Sequence, residues 1–210
     1  MIPPVIYLHG FASGPGSKKA RYFARRFAEM GVTVEVPDLA AGNFETLTIT
    51  GQLHVIERVA AGRGVVLMGS SLGGYLAALY AARHPETERI VLMAPGFGFA
   101  RRWPETLGAG TMAEWRRTGW LPVFHYGEKA QRRVGYALIS DGAQYEEYPP
   151  VTQPCLIYHG RRDDVVPVEA SIEFAAGKAN VDLRVEDSDH ELLDVLDVMW
   201  EGVRRFVTGL

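Results

Sequence analysis

The chain has 210 residues, 22 Lys and Arg against 25 Asp and Glu, a net charge of -3, 47% hydrophobic residues and one cysteine. That length suits one domain with a full core, and the ordinary apolar fraction excludes disorder, while a near-neutral charge argues against nucleic-acid binding, which draws on a basic surface. A lone Cys155 excludes an internal disulfide and a cysteine-built zinc site, so a reduced, cytoplasmic setting is the default, and no apolar run nears the roughly 20 residues that span a bilayer, so no membrane partner is expected.

The first predicted strand is Val5 to Leu8; its MIPPVIYLHG context lacks the basic head and long apolar stretch of a signal peptide. It ends in Tyr7-Leu8-His9-Gly10-Phe11, followed by Gly14, Pro15 and Gly16. His9, at the strand end before a glycine, reads as a brace for the loop in preference to a general base. Ala20, Phe23, Ala24 and Phe27 then carry the spacing of a buried helix face, with Ser17 ahead and Gly31 behind. A second strand is expected over Val32 to Val36.

The third, Val65 to Met68, leads into Gly69-Ser70-Ser71-Leu72-Gly73-Gly74 and then the helical pattern YLAALYAARH. This is a G-x-S-x-G in strand-turn-helix context, where small residues two before and two after the serine let the turn close and leave Ser71 exposed at the helix start. The bland alternative is a small-residue turn that binds phosphate. Acyl transfer needs two N–H donors where negative charge develops, and the backbone N–H groups of Phe11 and Leu72 stand where such an oxyanion hole is built.

After a fourth strand, Ile90 to Met93, the alternation breaks. Residues 96–150 hold Trp103, Trp115 and Trp120 and, from Arg101 to Arg133, seven Lys or Arg against three Glu. An unstructured loop of that length is improbable, so the segment is expected to be a small, mainly helical cap over the sheet's carboxyl edge. Its basic excess is either a solvated face or an entrance favouring substrates with an anionic leaving portion, such as acyl-coenzyme A.

The fifth strand, Cys155 to Tyr158, is followed by His159-Gly160-Arg161-Arg162-Asp163-Asp164-Val165-Val166-Pro167; the sixth, Val181 to Val185, is followed by Asp187-Ser188-Asp189-His190. Serine is a weak nucleophile unless a base, itself oriented by a third group, activates it. A carboxylate and His190 thus each follow a strand, in the order Ser, Asp, His, and spacing alone does not separate Asp163 from Asp164. His54, His84 and His125 fall in helical or cap segments, and Asp187 and Asp189 read as turn residues or caps. Leu192, Leu196, Met199, Val203 and Phe206 draw a last helical stripe. Strands alternating with helices imply right-handed crossovers and a mostly parallel six-stranded sheet, with ligands bound beyond the strands' carboxyl ends.

With YLHGF, GSSLGG and HGxxDxxVP in hand, the chain resembles a small serine hydrolase of the α/β-hydrolase superfamily, similar to compact bacterial carboxylesterases. The resemblance implies one α/β-hydrolase domain over 1–210 with the cap at about 96–150, lacking the superfamily's first two antiparallel strands. It implies Ser71 as nucleophile, Asp163, three residues after the glycine, as acid, and His190 as base. The expected activity is hydrolysis of small or medium carboxylic esters through an acyl-enzyme, with no metal and no organic cofactor. Thioesterase or small peptidase activity shares this triad, and a non-catalytic binding protein is the alternative of another class. Haloalkane dehalogenase and epoxide hydrolase are disfavoured, because Ser71 stands where they need an aspartate.

Overall fold

The computed structural model describes residues 2–209. Its elements run β1 (Val5–Leu8), α1 (Lys18–Ala28), β2 (Val34–Glu35), a 3-10 turn (Phe44–Thr46), α2 (Ile49–Ala60), β3 (Val66–Ser70), α3 (Leu72–Ala81) and β4 (Arg89–Met93). Then come α4 (Phe99–Thr118), β5 (Trp120–His125), β6 (Ala130–Gly135), α5 (Ala137–Gly142), β7 (Cys155–Gly160), α6 (Val168–Ala175), β8 (Val181–Glu186) and α7 (Leu196–Thr208). Six strands form one sheet in the order β2-β1-β3-β4-β7-β8, every neighbouring pair parallel.

Because strand side chains alternate between faces, the continuously apolar strands feed two cores. Ile6, Leu8, Leu67, Ile90, Leu92 and Ile157 pack with α2, α3 and α6; Val5, Tyr7, Val66, Met68, Val91, Leu156 and Tyr158 pack with Phe23 and Phe27 of α1 and Met199, Trp200 and Val203 of α7. Helix α3 is buried along its whole length, so it needs no polar face. The Ser17 hydroxyl accepts from the Ala20 amide and starts α1.

Boundaries shift where pairing, rather than hydrophobicity, sets them. β3 runs on through Gly69 and Ser70 because these pair with Leu92 and Met93 of β4. The expected second strand shrinks to Val34 and Glu35, which pair with Val5 and Ile6 at the sheet edge. Leu192 lies before α7 with φ +55, yet it is fully buried in the same core, so its place in the stripe reflects burial without helix.

The segment expected as a mainly helical cap is mixed. It holds α4, which breaks at Gly108 (φ 78, ψ 159), and α5, but also an antiparallel hairpin, β5–β6. Trp115 is fully buried, and its indole N–H donates to Val134 O at 3.1 Å, tying α4 to β6. The hairpin turn meets the loop after β1, where the Tyr126 amide donates to Ala12 O at 2.7 Å. This segment therefore lies against the loop that follows β1. Among the described residues no helix is long and apolar enough to cross a membrane.

Candidate active site

Ser71 sits between β3 and α3 with φ 53 and ψ -121, a conformation that L-residues seldom adopt. The turn is fixed by backbone bonds: the Ser71 amide donates to Met93 O, and its carbonyl accepts from Gly74, Tyr75 and Gly96. A Cβ on Gly69 would stand 2.2 Å from Gly73 O, and one on Gly73 would stand 2.2 Å from Leu8 O. The two glycines thus let the turn close on itself and on the end of β1. Gly10 brings the next loop alongside, since its Cβ would lie 3.4 Å from the Ser71 Cβ.

Leu72 is the first residue of α3, so its amide is one of the N–H groups that a helix start leaves without an internal acceptor, at the positive end of the helix dipole. Phe11 lies in the loop after β1, its ring wedged against Phe44 and Trp103 at centroid distances of 5.4 and 4.9 Å. His9 holds that loop: its Nδ1 contacts Gly10 O at 3.0 Å and its Nε2 accepts from the Leu39 amide at 3.3 Å. Those contacts make Nδ1 the protonated nitrogen of a neutral ring, and burial lowers the pKa of His9 accordingly.

The loops after β7 and β8 meet across Asp163 and His190. His190 Nδ1 lies 2.7 Å from Asp163 Oδ2, and the Asp163 carboxylate is inaccessible to solvent. Asp164, the other candidate by spacing, is exposed. The second oxygen of Asp163 accepts from the Val165 and Val166 amides. Burial opposes ionisation of Asp163, but hydrogen bonds from His159, His190 and Val166 outweigh it and hold the carboxyl well below the usual range. An ionised carboxylate only accepts, so His190 carries its proton on Nδ1 and leaves Nε2 as a base. Ser71, Asp163 and His190 all follow carboxyl ends of strands in one sheet; among the described residues no hydrogen bond joins Ser71 Oγ to His190.

Two contributors escape sequence reasoning. His159 is fully buried, with Nε2 at 2.9 Å from Val166 O and 3.1 Å from Asp163 Oδ2, and Nδ1 at 2.7 Å from Ser171 Oγ. Its Nε2 hydrogen is thus shared between the Val166 carbonyl and the Asp163 carboxylate. Its place in HGxxDxxVP was the available signal, four residues before the aspartate. Lys19, in the first turn of α1, donates from Nζ to Glu191 O at 2.7 Å and so ties α1 to the residue after His190. Burial pushes its pKa down to about 8, against the pull of Glu191, Asp163 and Asp189. Asp189 caps the same turn, accepting from the Glu191 and Leu192 amides, while Asp187 pairs with Arg162 at 3.1 Å.

Most cap cations have protein partners. Arg101 binds Glu147 and Glu105, Arg117 binds Glu114, Arg132 binds Glu128, Arg133 binds Glu45, and Arg116 donates to the Tyr136 hydroxyl. Among the described residues no group of three or more His, Cys, Asp and Glu side chains is gathered to hold a metal ion.

Comparison with known proteins gives a consistent picture. The model of the Uncharacterised protein family (UPF0227) matches residues 4–206. "Palmitoyl-protein thioesterase ABHD10, mitochondrial" of Bos taurus is 25% identical over 213 residues, covering 93% of this chain and 69% of the relative. Among solved structures, alpha/beta hydrolase domain-containing protein 10 from mouse superposes with a TM-score of 0.83 at 20% identity, over 99% of this chain and 90% of that one. Est1E from Butyrivibrio proteoclasticus does so with a TM-score of 0.75 at 21% identity, over 99% and 88%.

Proposed function

This chain belongs to the Uncharacterised protein family (UPF0227) and has the α/β-hydrolase fold, and from that premise we propose that it is a serine hydrolase cleaving carboxylic esters of small or medium acyl groups. The observation that carries this reading is the 2.7 Å contact of His190 with a solvent-inaccessible, ionised Asp163, in a sheet whose β3 ends at a strained, glycine-flanked serine.

In the proposed reaction, His190 Nε2 takes the Ser71 hydroxyl proton as Oγ attacks the acyl carbon. The oxygen that becomes negative is received by the amides of Phe11 and Leu72. His190 then gives its proton to the leaving oxygen, the alcohol departs, and an acyl-serine remains. A water, deprotonated by His190, attacks that ester; collapse returns the proton to Ser71 and releases the acid. Asp163 keeps the imidazole in the required tautomer and stabilises its charged form throughout. No step calls on a metal or organic cofactor.

Thioester cleavage is the second reading, supported by the thioesterase name of the curated relatives. The same steps apply, with a thiol leaving. A cytoplasmic, reducing setting is part of the proposal, supported by a single cysteine, Cys155, that is buried.

A fluorophosphonate should label Ser71, and Ser71→Ala should abolish both labelling and turnover while leaving the fold intact, with a loss on the order of a millionfold in the best-studied precedent. Labelling at Ser70 or Ser188 would refute the assignment. A panel of esters and thioesters of equal acyl length, compared by kcat/KM, decides between the two readings.

A further inference from the structure

Arg102 differs from the other cap arginines. Its side chain makes one hydrogen bond among the described residues, from Nε to Phe97 O at 2.8 Å, which leaves both terminal nitrogens without a protein acceptor. The surrounding carboxylates are occupied: Glu105 and Glu147 by Arg101, Glu173 by the Tyr148 hydroxyl, and Asp163 by two histidines. Arg102 is nevertheless half-buried, and among the described residues no carboxylate forms a hydrogen bond or ion pair with it.

Its position is set by the site. Phe97, which it grips, follows Gly96, and the Gly96 amide donates to Ser71 O at 2.9 Å. A Cβ on Gly96 would stand 3.5 Å from the Leu72 amide nitrogen. Burial and the neighbouring Arg101 disfavour the charge of Arg102, while the carboxylates of Asp163 and Glu105 are close enough for their fields to offset part of that. The guanidinium thus has no paired carboxylate, is tied through Phe97 and Gly96 to the backbone of the proposed nucleophile, and lies within the field of the proposed acid.

We propose that Arg102 is the substrate's anion anchor: its guanidinium receives a carboxylate or phosphate carried by the molecule whose acyl carbon Ser71 attacks. The planar fork suits either group, because both present two oxygens at matching spacing. The inference rests on the serine-hydrolase reading and adds the substrate class to it: an anionic ester or thioester.

Three substrates separate the possibilities. A nitrophenyl ester of a monocarboxylic acid is neutral; the nitrophenyl hemiester of a dicarboxylic acid of equal chain length carries a carboxylate on the acyl side; an acyl-coenzyme A carries phosphates on the leaving side. Arg102→Gln keeps an N–H donor for Phe97 O and removes the charge. The ratio of kcat/KM for one anionic substrate to that for the neutral ester should fall about tenfold to a hundredfold in Arg102→Gln, mainly through KM, and Arg102→Lys should restore part of it. Which arm responds tells which part of the substrate bears the anion. In the unaltered protein, succinate or inorganic phosphate should inhibit neutral-ester hydrolysis competitively, and added salt should relieve it. Unchanged ratios in both arms, or no inhibition by either anion, would reduce Arg102 to a brace for Phe97 while the hydrolase reading stands. If no substrate is turned over and Ser71 stays unlabelled, the hydrolase reading has failed and the anchor fails with it.

Discussion

Four donors converge on the Asp163 carboxylate, from His190, His159 and the amides of Val165 and Val166. A folded-state pKa held below the unfolded value, about 3.9, contributes stability that is complete above that value and is lost as the pH falls below it toward the folded one. The unaltered protein should therefore lose more stability than Asp163→Asn between about pH 5 and about pH 2, followed by urea unfolding at each pH. Parallel curves would mean that these donors do not favour the charged form. On activity, Asp163→Asn should lower kcat by up to about ten thousandfold, and the exposed Asp164→Asn should have little effect; reversed results would move the acid role to Asp164. Residues of this kind differ in how far a sequence betrays them. Ser71 announces itself through flanking glycines, which a sharp turn demands. His159 and Lys19 act through partners that only the folded chain supplies: Lys19 meets a carbonyl 172 positions away, and no local pattern encodes that.

At the level of elements, legibility follows burial. The inner strands of the parallel sheet, β1, β3, β4 and β7, are covered on both faces and so read as apolar runs, whereas the edge strands β2 and β8 are partly exposed and carry polar residues. The β5–β6 hairpin is exposed along much of both strands, contains Pro122 in β5 and Gln131, Arg132 and Arg133 in β6, so neither alternation nor hydrophobicity marks it. In the same segment, the break at Gly108 uses a backbone conformation open essentially to glycine alone, and nothing lies within 4 Å of where a Cβ would be. Gly108→Ala should accordingly cost about 1–3 kcal/mol through backbone strain without any packing clash. Thermal or urea unfolding measures it. A cost near zero would mean that α4 can straighten through this point.

Across the whole molecule, the proposed site is drawn from both ends of the chain, and the Lys19 contact with Glu191 fastens them together. Lys19→Met should lower kcat more than it raises KM, because it frees the loop that presents His190, and it should speed amide hydrogen exchange across residues 186–195. Unchanged exchange there would show that Asp189 alone holds the turn.

That arrangement also has a temporal meaning. Ser71 and its elbow contacts, apart from those with β4 and Gly96, lie within residues 8–75, whereas His190 comes 119 positions after the serine. During synthesis the serine therefore exists well before His190, and β8 and α7, which contribute to the sheet edge and the second core, are made on either side of that proposed base. On the proposed mechanism, a nascent chain that has not yet reached His190 would carry Ser71 without its base, so hydrolytic competence waits on the strand that closes this edge of the sheet.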